Sequence, residues 1–506
     1  MANKQSRKKY LAILLASVMT AVFIVSCAQD DGPATVATTT AAPENGDHGG
    51  GYEAPQRILP NLPDMDWDGY VFRLMTNNWS SVNWIDWVPR DVAVEELTGN
   101  PLNDAVYNRN ATLEQRYNFR IEQVHGSTPD NANTTMRNAV RAGDPHFDAI
   151  SVTMNDTISS AQEGFLVDLH SVNHIDLEKP WWDQGANYGM SIGGRLFLTS
   201  GDFVLVNRDA CPGLLFNKQL LQDLSLEDPY ELVRTNQWTL NKLFEMSRDA
   251  GADLDGDGQM TWQNDRFGLI GQRDAVVAYM HGAGERLSRK DANDMPEFVF
   301  GTDRSFSVMS IIFELMLNDS AYNLHWIGGE EYYLHGERMF MENRALFKWV
   351  RLRIVENLRG METDFGILPM PKYNSAQENF YHTVNRFTGH AMAIPNFHDD
   401  AGLDRVGFML EAISAESRYT VIPAYYDIQL ATQIARDEES GEMLDIIFTT
   451  TVWDTAEIYN WGDFSWQLML MVHDRRPDDL ASRLERLEPA IERAMERTID
   501  RFAEIG

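Results

Sequence analysis

The feature that most narrows the fold is a series of five segments between Tyr70 and Val152 in which strands and helices alternate. Tyr70 to Met75 follows the turn pair Asp68-Gly69 and has the apolar character of a strand. Asn103 to Tyr117 carries helical spacing, Phe119 to Val124 resumes as a strand, Thr134 to Ala142 is helical again, and Phe147 to Val152 closes the series. Strand, helix, strand in repetition predicts an α/β chain with a largely parallel sheet. In such sheets ligands bind beyond the carboxyl ends of the strands, which makes Asn77 to Trp79 and Asn155-Asp156 candidate binding loops.

Upstream of this series, Lys4, Arg7, Lys8 and Lys9 precede an apolar run from Leu11 to Val25, followed by Ser26-Cys27. The order is that of a lipoprotein signal peptide over residues 1–26, with Cys27 as the lipidated residue. A plain signal peptide or a spanning anchor is the competing reading, but the run is shorter than the roughly 20 residues a spanning helix needs. Residues 27–59, rich in Asp, Gly, Pro, Ala and Thr, read as a flexible tether. The expected location is therefore the extracellular face of a bacterial cell membrane, held by lipid.

A chain of 506 residues that is 43% hydrophobic can bury a large core, enough for two lobes. Its net charge is -32, and loss of the leader removes four bases and no acid, leaving about -36. Such a surface excludes nucleic acid and anionic lipid as partners, since a phosphate backbone calls for basic patches. Of the two cysteines, Cys27 is spent on lipid and Cys211 is left without a partner for a disulfide.

Several segments, taken in order, resemble a known family. Gly99 to Tyr117, Ala142-Gly143-Asp144 with Phe147-Asp148-Ala149-Ile150, and Gly164 to Leu169 are similar to the first lobe of family 1 extracellular solute-binding proteins of bacterial ABC importers, the maltose-binding-protein-like group. Asp176 to Asp183, Trp238-Thr239-Leu240, Phe365 to Lys372 and Ala424-Tyr425-Tyr426 resemble large lipoprotein members of it. The resemblance spans roughly residues 60 to 470. It implies a two-lobed periplasmic-binding-protein-like (type II) fold with the ligand cleft between lobes. Lobe 1 is expected from 60–199 and 335–388, and lobe 2 from 200–334 and 389–506 with C-terminal helices. The crossings would fall near Ser200 to Phe203, Leu334 to Phe340 and Thr388 to Ile394. The implied partners are a small solute and the permease subunits in the membrane, with the binding protein a monomer and no nucleic acid involved.

Aromatic residues beside polar ones near loop ends suit a sugar, whose C–H faces pack on rings while its hydroxyls take hydrogen bonds. Trp79, Trp84 with Asp86 and Trp87, Trp349 with Arg351, and Trp461 with Asp463 offer that mixture. Trp349 and Trp461 stand where the resemblance implies ligand-stacking aromatics, and Asp156 and Asp202 are the acidic candidates. Trp181-Trp182 reads as packing.

Asp253 to Asp265 carries a second chemical signal. Oxygen side chains at Asp253, Asp255 and Asp257, a glycine at Gly258 in the sixth position, a carbonyl at Gln259 and a hydroxyl at Thr261 fit the first part of a calcium loop. The twelfth position is Asn264 instead of Glu, with Asp265 one place later, so an Asp/Gly-rich surface turn is the alternative. Either way the role is structural, and no cofactor is required.

No phosphate loop, His-Glu-x-x-His, nucleophile elbow or cysteine–histidine pairing occurs. The chain is therefore expected not to be an enzyme. A secreted lipoprotein glycoside hydrolase, which needs only two well-spaced carboxylates, stays open as an alternative, as does a non-transport carbohydrate-binding or adhesin module. Asp478 to Ile505 has apolar residues at helical spacing and predicts an amphipathic helix broken or redirected near Pro489.

Overall fold

The computed structural model describes residues 56–77, 87–126, 132–143, 146–329, 332–429 and 439–505. The leader, Cys27 and Trp79 lie outside them. Two sheets organise what is described. The first contains β1 (Tyr70–Thr76), β2 (Phe119–His125), β3 (Ala149–Thr153) and a later strand, His390–Ala393, in the order His390–Ala393, β3, β1, β2. β1 runs parallel to both neighbours, with Tyr70 opposite Phe119 and Leu74 opposite Ala149. The late strand closes the edge antiparallel to β3.

The connecting helices α1 (Pro101–Tyr117) and α2 (Ala132–Ala142) fall where spacing placed them. α1 starts early because Asn100 caps it, its side chain accepting from the Leu102 and Asn103 amides, and Pro101 is already set for a first turn. Asn118 ends the helix in a left-handed conformation, from which the chain turns directly into β2. β3 is buried along its whole length and passes without a loop into α3 (Met154–Gln162).

The second sheet has the order Phe365–Leu368, β4 (Pro212–Asn217), Ala345–Arg351, β5 (Phe267–Gly271), Ala321–Asn323. β5 is parallel to the strands on either side of it, so Gln272 to Asp274 and Arg351 emerge from the same edge of the sheet. This assignment corrects the expected lobe boundaries. Ala345–Arg351 sits between β4 and β5 with every residue buried, so it stays in the second sheet, as does Phe365–Leu368. The return near Leu334 to Phe340 does not occur. The chain comes back through His390–Ala393, which belongs to the first sheet instead of the second lobe. Helix Asp400–Tyr419 then packs on α1, and Glu439–Thr449 packs against Phe365–Leu368, which marks a further passage to the second sheet.

The C-terminal segment is one helix, Leu480–Glu504, with Pro489 inside it instead of at a break. Its apolar side closes on the core: Ile491 and Phe502 are buried, and Ile491 packs so tightly on Gly462 that a Cβ there would come within 2.4 Å. Packing of that face outweighs the backbone hydrogen bond a proline forfeits. Among the described residues, no helix is long and apolar enough to cross a membrane.

A candidate ligand site at the strand ends

The carboxyl ends of β1 and β3 build one wall. Asn77, fully buried, accepts the Thr153 amide on its Oδ1 at 3.0 Å and donates from Nδ2 to Asp156 at 3.4 Å. Thr153 Oγ1 donates to the same Asp156 oxygen at 2.5 Å. These bonds fix Asp156 in the first turn of α3, where a carboxylate also meets the positive end of the helix. The neighbouring Asn155 accepts from Arg386 Nη1 at 3.2 Å, and its amide donates to the Arg386 carbonyl at 3.1 Å.

Arg386 joins this wall to the rest of the site. Only 2% of its side chain is exposed, yet it has two carboxylates at 3.6 Å, Glu457 and Asp463, and lies 4.4 Å from the Phe387 ring. Burial pushes Glu457 up to about 7 against the pull of the Arg386 charge, and Ser465 donates a hydrogen bond to it. Asp463 is half exposed and reaches Arg386 from a left-handed backbone conformation.

The second sheet supplies the other wall. Asp274, just past β5, pairs with Arg351 at the end of its strand and accepts from Asn385 Nδ2 at 3.3 Å. Both partners of that ion pair are about nine-tenths buried. Trp349, 3% exposed and two residues before Arg351, holds its ring 5.5 Å from the guanidinium, with Trp87 at 5.9 Å on another side. Farther out, Arg273 stacks over the half-buried Trp466 at 4.6 Å, and Phe387 meets the same indole edge-on. His325, which accepts the Arg273 amide, is held neutral because burial pushes it down to about 4.

Four polar atoms in this cluster have no hydrogen-bond partner: Trp349 Nε1, Arg351 Nε, Arg386 Nε and Asp274 Oδ1. Other buried atoms lack partners too, among them Trp67 Nε1, Trp181 Nε1 and both ring nitrogens of His281 and His390, but here four from neighbouring residues meet around one site. An unpaired buried polar atom costs about 1–3 kcal/mol, so several in one place mark a surface made to bond something else. Asp274, Trp349, Arg351, Asn385 and Glu457 line one small cavity with room for about one water molecule.

Of the residues singled out from sequence, Asp156, Trp349, Arg351 and Asp463 belong to these walls. Trp461 does not. It is 2% exposed, and its Nε1 donates to Thr498 Oγ1 of the C-terminal helix at 3.1 Å, so it is a packing residue. Asp202 is clamped by Arg208 at 3.1 Å and Arg418 at 2.9 Å, and it lines a separate cavity with Trp181, Trp182 and Trp453. Trp181 and Trp182 are fully buried, as packing residues should be. Asp274, Asn385, Arg386, Glu457 and Trp466 were not anticipated. Asp274 follows a strand end in the same way as Asp156, which was the signal available for it.

The acidic loop brings carboxylate oxygens of Asp253, Asp255 and Asp265 within 4.8 Å of one another, while Asp257 stays outside that group. Asp253 accepts the Gly256 and Gly258 amides, at two glycines with φ of 75° and 80°. Asp265 is buried, which works against its charge, but the Thr261 and Leu254 amides hold its carboxyl below the usual range. The displaced Asp265 thus reaches the place that a twelfth-position acid would take.

No protein-family model and no curated protein matches this sequence. Solved structures do. An ABC substrate-binding protein, Lmo0181 from Listeria monocytogenes in complex with cycloalternan, aligns over 86% of this chain and 99% of its own at 11% identity and a TM-score of 0.51. UspC of M. tuberculosis aligns over 84% and 100% at 15% identity and 0.53. A family 1 extracellular solute-binding protein from Bifidobacterium longum subsp. infantis aligns over 86% and 99% at 10% identity and 0.51. The chain therefore has the two-lobed α/β fold of family 1 solute-binding proteins.

Proposed function

We propose that this chain is the extracellular substrate-binding lipoprotein of an ABC transporter, capturing a carbohydrate between its lobes and passing it to a membrane permease. The observation that carries this reading is the convergence of Trp349, Arg351, Arg386 and Asp274, four side chains with unbonded polar atoms, from the second sheet and the segment that leads back to the first, facing Asp156 at the end of β3. An indole face and a set of fixed donors and acceptors are what a pyranose ring with several hydroxyls requires. The cavity admits about one water, so a sugar enters only when the walls part. Closure around it then pairs the orphaned atoms, and that differential affinity shifts the lobes toward the closed state the permease reads.

The carboxylates here are tied to cations, Asp274 to Arg351 and Glu457 and Asp463 to Arg386, which suits holding a ligand better than cleaving it. Of the carboxylates in this site, Glu457, pushed up by burial to about 7, is the acid a hydrolase reading would start from. Calorimetry with a panel of neutral oligosaccharides, followed by mass analysis of the recovered sugar, separates the two. Saturable one-to-one binding with intact sugar supports capture; released product overturns it.

The leader places the lipid at Cys27 and makes residues 27–59 the leash that keeps the clamp near its importer. The Asp253 loop is a structural calcium site in this reading, with Asp253, Asp255 and Asp265 as its side-chain ligands.

A further inference from the structure

We propose that a second groove, lined by Arg286, Arg289, Tyr188, Tyr381 and Trp453, binds the oxyanion of a small molecule. The groove has a volume of about 350 Å³, within the range of small-ligand sites. Its walls come from helix Gln184–Met190, the loop and strand Gly284 to Lys290, and the segment Thr451 to Thr455.

The charges in it sort into satisfied and unsatisfied groups. Asp454, its one acid, already accepts from the Leu287 and Ser288 amides, the Ser288 hydroxyl, and the Ala456 and Glu457 amides. Lys290 is spent on the Tyr188 and Ser191 carbonyls, the Ser191 hydroxyl and Asp294. Glu285, next to Arg286 in the chain, is taken by Arg304 and Ser305. Two guanidiniums remain without a carboxylate bonded to them, Arg286 standing in the field of Asp454. Arg286 gives one nitrogen to the His281 and Glu285 carbonyls and lies 4.6 Å over the Tyr381 ring, which leaves the rest of its fork toward the groove. Arg289 is exposed and makes no ion pair among the described residues, although Glu297 stands opposite it in the strand register.

Arg286 and Arg289 bring two guanidiniums into one groove against the single acid Asp454, and guanidinium forks fit carboxylate, sulfate and phosphate oxygens in pairs. Tyr188, 58% exposed, with Tyr381 and Trp453, adds ring faces on which an attached organic body can lie. Trp453 is held in place by its bond to Asp183 at 3.0 Å, so that wall is preformed. The oxyanion arrives either free or as the acid group of a sugar.

The test is calorimetry on the full chain with sodium sulfate, inorganic phosphate and glucuronate as probes, glucose as the neutral control, and ionic strength held constant. The expected result is saturable binding of at least one of the three anions, weakened about 10- to 100-fold in Arg289→Gln and further in Arg286→Gln. Binding of sulfate or phosphate alone assigns the free oxyanion, and binding of glucuronate alone assigns the acidic sugar. Arg289 is a surface residue, so its variant stays informative if Arg286→Gln fails to fold. No anion binding in the wild type, or equal binding in Arg289→Gln and wild type, overturns the proposal. Neutral-oligosaccharide titrations of the same variants read the main cleft separately, so failure here leaves the carbohydrate site untouched.

Discussion

Replacing Trp349 with Phe separates the two things this side chain does. Trp349 is 3% exposed and contributes both a ring to the cavity wall and an Nε1 donor with no partner. Phe keeps an aromatic face and deletes the donor. In the free protein, removing a buried unpaired donor relieves about 1–3 kcal/mol. The smaller ring loses contact area worth roughly two methylenes, about 1.5 kcal/mol. These offset each other, so the unfolding free energy should change by less than about 1.5 kcal/mol. Sugar binding should still weaken by about 0.5–1.5 kcal/mol, or roughly 2- to 12-fold, because the hydroxyl that Nε1 serves loses its hydrogen bond. Urea unfolding and calorimetry on the same preparations measure the two quantities. A stability loss above about 3 kcal/mol together with unchanged affinity would mean that Trp349 is an ordinary core residue, and the reasoning from orphaned atoms would fail.

Three further outcomes follow from the same contacts. Trp461→Ala should cost about 3–5 kcal/mol of stability as a core truncation while leaving sugar affinity unchanged in the folded fraction, which the same pair of assays reads. For Glu457 the folded value of about 7 lies above its ordinary 4.5, so its contribution is fully present below about 4.5 and is lost as pH rises toward 7. The difference in urea midpoint between wild type and Glu457→Gln, followed across that window, should therefore move in the variant's favour with rising pH; a flat difference would contradict the burial of that carboxyl. Chelator should lower the melting temperature of the wild type and not of Asp265→Asn, and an equal response in both would favour a plain turn at Asp253 to Asp265.

How far the sequence reached depended on which signals were local. The alternation from Tyr70 to Val152 predicted the first sheet because period and punctuation agree there, and the same strand-end rule led to Asp156. Trp349 and Arg351 came from a resemblance and from the end of an apolar run, and both sit in the wall of the cavity. Strand Ala345–Arg351 was assigned to the wrong lobe because a fully buried strand carries no mark of which sheet it joins; that is settled by its neighbours β4 and β5, which lie far away in sequence. Trp461 misled for a related reason, since an indole in a polar segment looks the same whether its partner is a sugar or Thr498. Asn385 and Arg386 lie in a stretch without periodicity, and only the fold brings them between Asn155, Asp274 and Glu457.

A crystal structure of the full chain grown with a neutral oligosaccharide that binds in calorimetry tests the central claim most directly. The account predicts a sugar ring against the Trp349 indole, with hydroxyls bonded to Trp349 Nε1 and Asp274 Oδ1. A sugar seated instead in the cavity beside Trp181 and Asp202, with Trp349 Nε1 and Asp274 Oδ1 still unbonded, would contradict it.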